Sequence, residues 1–157
     1  MRVAITHPYS WPEVRRGAER IAMETARALS ARGHEVTFLT SGGTGGRTTT
    51  DGFTIVRYRR LFADAARHER WFGWRIVPQL VAGRYDVVHS LMAWDAVAAI
   101  RTARVAGHTT VYEELGIPIK DWWEDKPDRA ARLEVARRTD VYGCMSEFAL
   151  GILERDF

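Results

Sequence analysis

Only one cysteine, Cys144, occurs in the 157 residues. That excludes an internal disulfide framework and any multi-cysteine zinc or iron–sulfur site. Long apolar runs are also missing. The N-terminal run is only Val3-Ala4-Ile5 before His7-Pro8, too short for a signal peptide, and no stretch approaches the ~20 apolar residues of a membrane span. These absences predict a soluble protein of a reducing compartment, the cytoplasm. The first β-rich run is not followed by G-x-G-x-x-G, and the chain has no G-x-x-x-x-G-K-[ST], H-E-x-x-H or G-x-S-x-G. Neither NAD nor a P-loop nucleotide is therefore favoured. No spacing among the histidines supports a metal site.

What is present suits a globular protein. Hydrophobic residues make up 46% and charged residues 27%, which argues against disorder. A chain of this length is most economically one domain, residues 1–157, burying roughly 70% of its unfolded surface. The net charge of +3 is too mild to argue for nucleic acid. Charge is not spread evenly, however. Between residues 57 and 75, six arginines (Arg57, Arg59, Arg60, Arg67, Arg70, Arg75) face only Asp64 and Glu69, a local surplus of four. Tyr58, Phe62, Trp71, Phe72 and Trp74 are interleaved with them. Such a stretch can lie on an anionic membrane or bind nucleic acid, or its aromatics can simply pack on the rest of the fold.

Residues 2–6 (RVAIT) form a β-rich run, followed by the connection HPYSWPEVRR and Gly17. Positions 18, 21, 22, 25, 26 and 29 then fall on one helical stripe, with Gly33 as its stop. Residues 34–40 and 53–58 supply the second and third strands, and the glycine- and threonine-rich stretch 42–52 between them reads as a flexible loop. The helical pattern over 63–82 contains Pro78, which predicts a kink or break. Strands at 85–89, 109–113 and 140–145 alternate with helices at 93–106 and 128–138. A last helix, capped by Ser146, runs to the chain end. This alternation predicts an α/β class: a Rossmann-like, doubly wound, mostly parallel six-stranded sheet in three α/β/α layers, strand order 3-2-1-4-5-6. Ligands on such a sheet gather at its carboxyl edge, so residues 7–17, 41–46, 89–94, 113–120 and 146–147 carry the candidates.

Gly17 opens the first helix without a capping side chain before it. Unpaired N–H groups and the helix dipole make that terminus an anion site, with Arg15 and Arg16 adding charge and Glu19 opposing it. His89 ends the fourth strand at the same edge, and His7 and Tyr9 lie in the first loop. Glu113 and Glu114 are adjacent in an extended segment, which puts them on opposite faces. A carboxylate there could orient an acceptor hydroxyl or act as a base. Cys144 reads as a core residue within a strand, and His34, His68 and His108 as surface or structural.

The run HPYSWPEVRRGAERIAMETARALSARGHEVTFLT resembles the opening of family 4 of the glycosyltransferases, enzymes of two-domain GT-B architecture. YDVVHS resembles that family's Asp-Val-Val-His strand end. VYEELGIP falls where the family has an extended strand and short turn, and RRTDVYGCMSEFALGIL resembles its closing stretch. The resemblance implies the N-terminal, acceptor-binding half of a retaining glycosyltransferase. Such a parent enzyme takes a nucleotide-diphosphate sugar as donor and needs no metal or other cofactor. It implies that Arg16 and Gly17 face the donor phosphates and that His89, Glu113 and Glu114 face the acceptor, with His7, Tyr9, Ser146 and Glu147 as further substrate contacts. The acceptor would be a small molecule or a lipid-linked one, and the basic segment 57–75 would touch the inner face of the membrane.

Three departures stand out. The family's Gly-Gly pair is Arg16-Gly17 here. The histidine that many members carry after the fifth strand is absent, with Glu113, Glu114 and Leu115 in its neighbourhood. The chain stops where the family continues into a C-terminal donor-binding domain with a Glu-x7-Glu motif; no glutamate pair here has that spacing, and Glu113 with Asp121 comes nearest. The isolated chain is therefore expected to be inactive. A nucleotide-sugar epimerase half-domain and a non-catalytic Rossmann-like binding module are the rival readings.

Overall fold

Val3, Ala4 and Ile5 are all buried in strand β1 (Arg2–Thr6). A strand with no solvent face is covered by helices on both sides, as in parallel sheets. The computed structural model describes residues 1–156, the side chains of Lys120 and Trp122 aside. It contains strands β2 (Glu35–Gly42), β3 (Gly46–Thr50), β4 (Phe53–Arg59), β5 (Val87–Ser90), β6 (Thr109–Glu114) and β7 (Val141–Cys144), in the order β3-β4-β2-β1-β5-β6-β7. β1 is the central strand and pairs in parallel with β2 and β5. The six expected strands take the expected order.

The seventh strand departs from the sequence reading. β3 pairs antiparallel with β4, Thr50 opposite Phe53, and occupies part of the stretch expected to be a flexible loop. Asp51 and Gly52 both adopt positive φ, 48° and 79°, which closes a two-residue hairpin of the twist that strands favour. The sheet is therefore seven-stranded with one antiparallel edge.

Helix α1 (Gly17–Ala31) covers one face, packing Ala22, Met23 and Ala26 on Val3, Ile5 and Phe38. Helices α2 (Ala65–Ala82) and α3 (Ala93–Ala106) cover the other, against Ala4, Leu39 and Val88. Helix α4 (Arg129–Arg138) extends that second layer over Tyr112 through Ala131 and Val135. Helix α5 (Glu147–Asp156) follows β7, and Ser146 Oγ accepts from the Ala149 N–H at 3.2 Å as its cap. The expected run to the chain end falls on Phe157, outside the described residues. α2 runs through Pro78 as one helix, so the break that Pro78 could have imposed does not occur. Pro78 lies on the exposed side of the helix, where water can satisfy the carbonyl left without its partner. Cys144 is not core: it ends β7 half-buried.

Candidate functional site

β1 and β5 end side by side, and the chain leaves them toward opposite layers, α1 on one face and α3 on the other. This divergence creates a crevice at the carboxyl edge of the sheet. Its floor is polar and buried. Thr6 Oγ1 lies 2.8 Å from Ser90 Oγ and is also hydrogen-bonded to Asp95 Oδ2, and all three side chains are fully buried. Burial raises the Asp95 carboxyl well above the usual carboxylate range, although its Thr6 contact and nearby backbone N–H groups oppose the shift. A protonated Asp95 can donate to Thr6, whose hydroxyl then donates to Ser90, so the chain of bonds closes without a buried charge.

The first loop forms one wall. His7 is buried, with Nδ1 2.9 Å from the Tyr9 carbonyl oxygen and Nε2 without a protein partner. Burial lowers its pKa below the ordinary imidazole value, against the Tyr9 carbonyl and Glu19, which raise it. Tyr9 donates to Glu69 Oε1 at 3.2 Å and has two guanidinium groups over its ring, Arg16 at 4.9 Å and Arg60 at 5.6 Å from the ring centre. Burial and the neighbouring Glu69 push its phenol up to about 12. His68, buried on α2, holds the loop from below through Ser41 Oγ at 2.8 Å and the Pro8 carbonyl at 3.1 Å. Glu13 caps the loop's far end, accepting from the Gly43 N–H at 3.1 Å. A Cβ on Gly42 would stand 2.5 Å from a Glu13 oxygen, so the glycine makes room for this strap.

At the start of α1, Arg16 is the N-cap residue and makes no side-chain cap. A Cβ on Gly17 would meet nothing within 4 Å, which leaves the terminus open. The Arg16 guanidinium turns aside to Glu19 Oε1, at 2.6 and 3.0 Å from Nη2 and Nε. Glu19 is fully buried, and its Oε2 makes no hydrogen bond. The anion expected to compete for this terminus is thus built in.

Glu113 and Glu114 face opposite sides of β6, as their adjacency requires. Glu113 Oε2 lies 3.1 Å from His89 Nε2, and this hydrogen bond holds the Glu113 carboxyl below its ordinary range. The pair is half-buried on the α1 face, His89 being level with Ile5 of β1. Glu114 is buried on the α3–α4 face. It lies 3.3 Å from both the Tyr112 and Tyr142 hydroxyls, accepts from the Gly116 N–H at 3.0 Å, and has Arg132 at 3.6 Å. Ser146 caps α5, and Glu147 is exposed in the first turn of that helix. The fold thus gathers His7, Tyr9 and Arg16 into one cluster and His89 with Glu113 into another. It sets Glu114 apart from both. Thr6, Ser90 and Asp95 escaped the sequence reading, because single polar residues within apolar runs carry no pattern, whereas His68 proves structural, as expected. Among the described residues, no group of three or more His, Cys, Asp or Glu side chains is placed to hold a metal ion.

The basic segment divides between core and surface. Phe72 is buried under the sheet, with Tyr58 and Trp71 packed beside it, while Leu61, Phe62 and Trp74 are exposed. Arg75 stacks on Tyr58 and Arg70 on Trp94. No helix among the described residues is long and apolar enough to cross a membrane.

The sequence profile of Glycosyltransferase Family 4 matches residues 15–157, from the start of α1 through β7 and α5. The chain belongs to glycosyltransferase family 4. No curated protein matches it. Among solved structures, this family 4 domain is similar to sucrose-phosphate synthase from Thermosynechococcus elongatus, at a TM-score of 0.78 and 11% identity over 99% of this chain and 45% of that one. It is also similar to the UDP-GlcNAc 2-epimerase from Methanocaldococcus jannaschii (TM-score 0.67, 13% identity, 99% of this chain and 42% of that one). HepE from Anabaena, in complex with UDP and glucose, follows at 0.66 and 12%, over 99% and 41%. The chain therefore spans less than half the length of these proteins, and at such identities they share its fold.

Proposed function

We propose that this chain is the N-terminal, acceptor-side half of a two-domain GT-B glycosyltransferase. The parent enzyme transfers a sugar from a nucleotide-diphosphate donor to an acceptor hydroxyl, with retention at the anomeric carbon and without a metal ion. The observation that carries this reading is the family match together with the length of the solved relatives, whose remaining half leaves room for a donor-binding domain. The UDP and glucose in the HepE complex support a nucleotide sugar as the donor.

On this reading the acceptor hydroxyl gives its proton to His89, whose imidazole is oriented by Glu113. The hydroxyl oxygen bonds to the anomeric carbon on the same face from which the diphosphate departs, which keeps the configuration, and the electron pair of the broken bond leaves with the nucleoside diphosphate. The open terminus at Gly17 and the Arg16 guanidinium receive the charge that develops on the diphosphate, the guanidinium leaving Glu19 to do so. His7 and Tyr9 form the acceptor wall, and Ser146 and Glu147 lie at its far end. Glu114 serves as the brace between β6, β7 and α4. The enzyme works in the cytoplasm, with the segment at 57–75 against the inner face of the membrane.

The test compares release of nucleoside diphosphate by the 157-residue chain with that by the chain joined to a donor domain. Turnover is expected only from the joined form, and His89→Asn should slow it by about 10²–10⁴-fold, the usual worth of a positioned base. Transfer by the isolated chain would overturn the division of roles, and an unchanged rate in the variant would remove His89. The M. jannaschii likeness favours epimerisation as a second reading. Conversion of UDP-GlcNAc without any acceptor would select it.

A further inference from the structure

α2 and α3 touch at Gly73, where a Cβ would stand 2.6 Å from the Trp94 carbonyl oxygen. Beside this contact lies a groove of about 170 Å³ between Trp74, Val77, Trp94, Val97, Ala98 and Thr102. Its walls are apolar. The Thr102 hydroxyl is spent on the Ala98 and Ala99 carbonyls, at 2.8 and 3.1 Å.

An arginine stands at each end of the groove. Arg101 is committed to Glu134, with bonds of 2.7 and 3.2 Å. Arg70 is exposed, lies 5.5 Å over the Trp94 ring, and makes no ion pair with any described residue. The two ends are not equivalent. Trp94 is in the first turn of α3, just past the carboxyl end of β5, and Glu69, next to Arg70, holds Tyr9 of the first loop. The Arg70 end therefore faces the crevice, and the Arg101 end lies about 10 Å further down α3, at 1.5 Å per residue.

We propose that this groove holds the alkyl or isoprenyl chain of a lipid-linked phosphate acceptor, with the phosphate at Arg70. A nucleotide or free sugar laid along these walls would lose its water without gaining partners. A wholly apolar ligand would leave the one uncommitted charge at the rim unused. A chain ending in an anion fits both features, and it delivers its head toward the crevice. This inference rests on the acceptor-side reading given above.

The test uses the 157-residue chain and decyl phosphate, dispersed below its micelle concentration, with the groove methyls of Val77, Val97 and Ala98 followed by NMR. Saturable shifts are expected at those methyls, roughly tenfold weaker with decanol, and absent with inorganic phosphate. Arg70→Ser should weaken decyl phosphate roughly tenfold, to the level of decanol. Val77→Asp should abolish the shifts while the rest of the spectrum stays native. Equal binding by wild type and Arg70→Ser, or no saturable shift in the groove, would overturn the proposal. Partition onto phosphatidylglycerol vesicles without any response to dispersed decyl phosphate would also overturn it, by pointing to a surface contact. None of these readouts uses sugar transfer. A groove that binds nothing thus leaves the transferase reading in place, and a joined enzyme that transfers nothing leaves the groove in place.

Discussion

Asp95 links the floor of the crevice to the stability of the domain. Its carboxyl is fully buried, and burial raises its pKa in the folded state above the unfolded value. The protonated form is thus the one folding favours. Its contribution is complete below the unfolded pKa and is lost as pH rises toward the folded one. Asp95→Asn keeps a donor for Thr6 and cannot ionise. It is expected to match wild type near pH 4 and to be more stable at pH 8, with the gap widening steadily in denaturant titrations. Asp95→Ala removes the donor and should cost about 1–3 kcal/mol near pH 4, a cost that shrinks toward pH 8 as wild type loses its own contribution. A wild type whose stability does not fall relative to Asp95→Asn with rising pH would show that the carboxyl is ionised in the fold. Glu113 behaves in the opposite sense. Its pKa is lowered by His89, so the pair's contribution is present above the ordinary carboxylate pKa and disappears as pH falls through the lowered one. For a partly exposed pair it amounts to about 0.2–1 kcal/mol. Glu113→Gln should therefore differ from wild type at pH 7 and converge with it in acid.

The β3–β4 hairpin shows where the element-level reading stopped short. Alternating β-runs and helical stripes were enough to place six strands, the order of the parallel sheet and the helices at 93–106 and 128–138, because burial on two faces imposes those periods. The hairpin also had a signal, Asp51-Gly52 between threonine-rich and apolar runs, which the glycines at 42–46 obscured. β3 itself is exposed throughout and so shows no apolar alternation. The candidate residues were legible from their place at the carboxyl edge: His89 at a strand end, Gly17 at a helix start, His7 and Tyr9 in the loop between. The His89–Glu113 contact and the Thr6–Ser90–Asp95 chain join residues separated by 24 or more positions, so they exist only once the sheet is assembled. Gly52→Ala tests the hairpin. At φ 79° a side chain is strained, and its Cβ would stand 2.7 Å from Ser30 Oγ on α1. A loss of about 1–2 kcal/mol is expected on thermal unfolding, with earlier amide exchange in β3 than in β1. Uniform exchange across the sheet would mean that the edge hairpin folds with the core.

For the molecule as a whole, the charge that matters lies in the segment at 57–75. Part of its surplus is already engaged: Arg57 faces Glu13 at 3.7 Å, and Arg60 holds the Phe62 and Ala63 carbonyls. Stacking of Arg70 and Arg75 on aromatic rings leaves their charge intact. Exposed Leu61 and Trp74 add apolar contact beside these charges. Each basic residue near an anionic membrane contributes about 1 kcal/mol, so four net charges give ~4 kcal/mol at best, a reversible association. The attraction should fade as salt rises, since charges are screened over about 8 Å at physiological ionic strength. Liposome sedimentation with and without phosphatidylglycerol measures it. Replacing the exposed Arg59 and Arg67 by Ser spares the arginines that hold the loop and should weaken binding by roughly 30-fold, the equivalent of two such contributions. Trp74→Ser should weaken it at every salt concentration, because the apolar part is unscreened. If wild type and the double variant sediment equally at low salt, the arginines serve the protein's own surface and the membrane contact is removed.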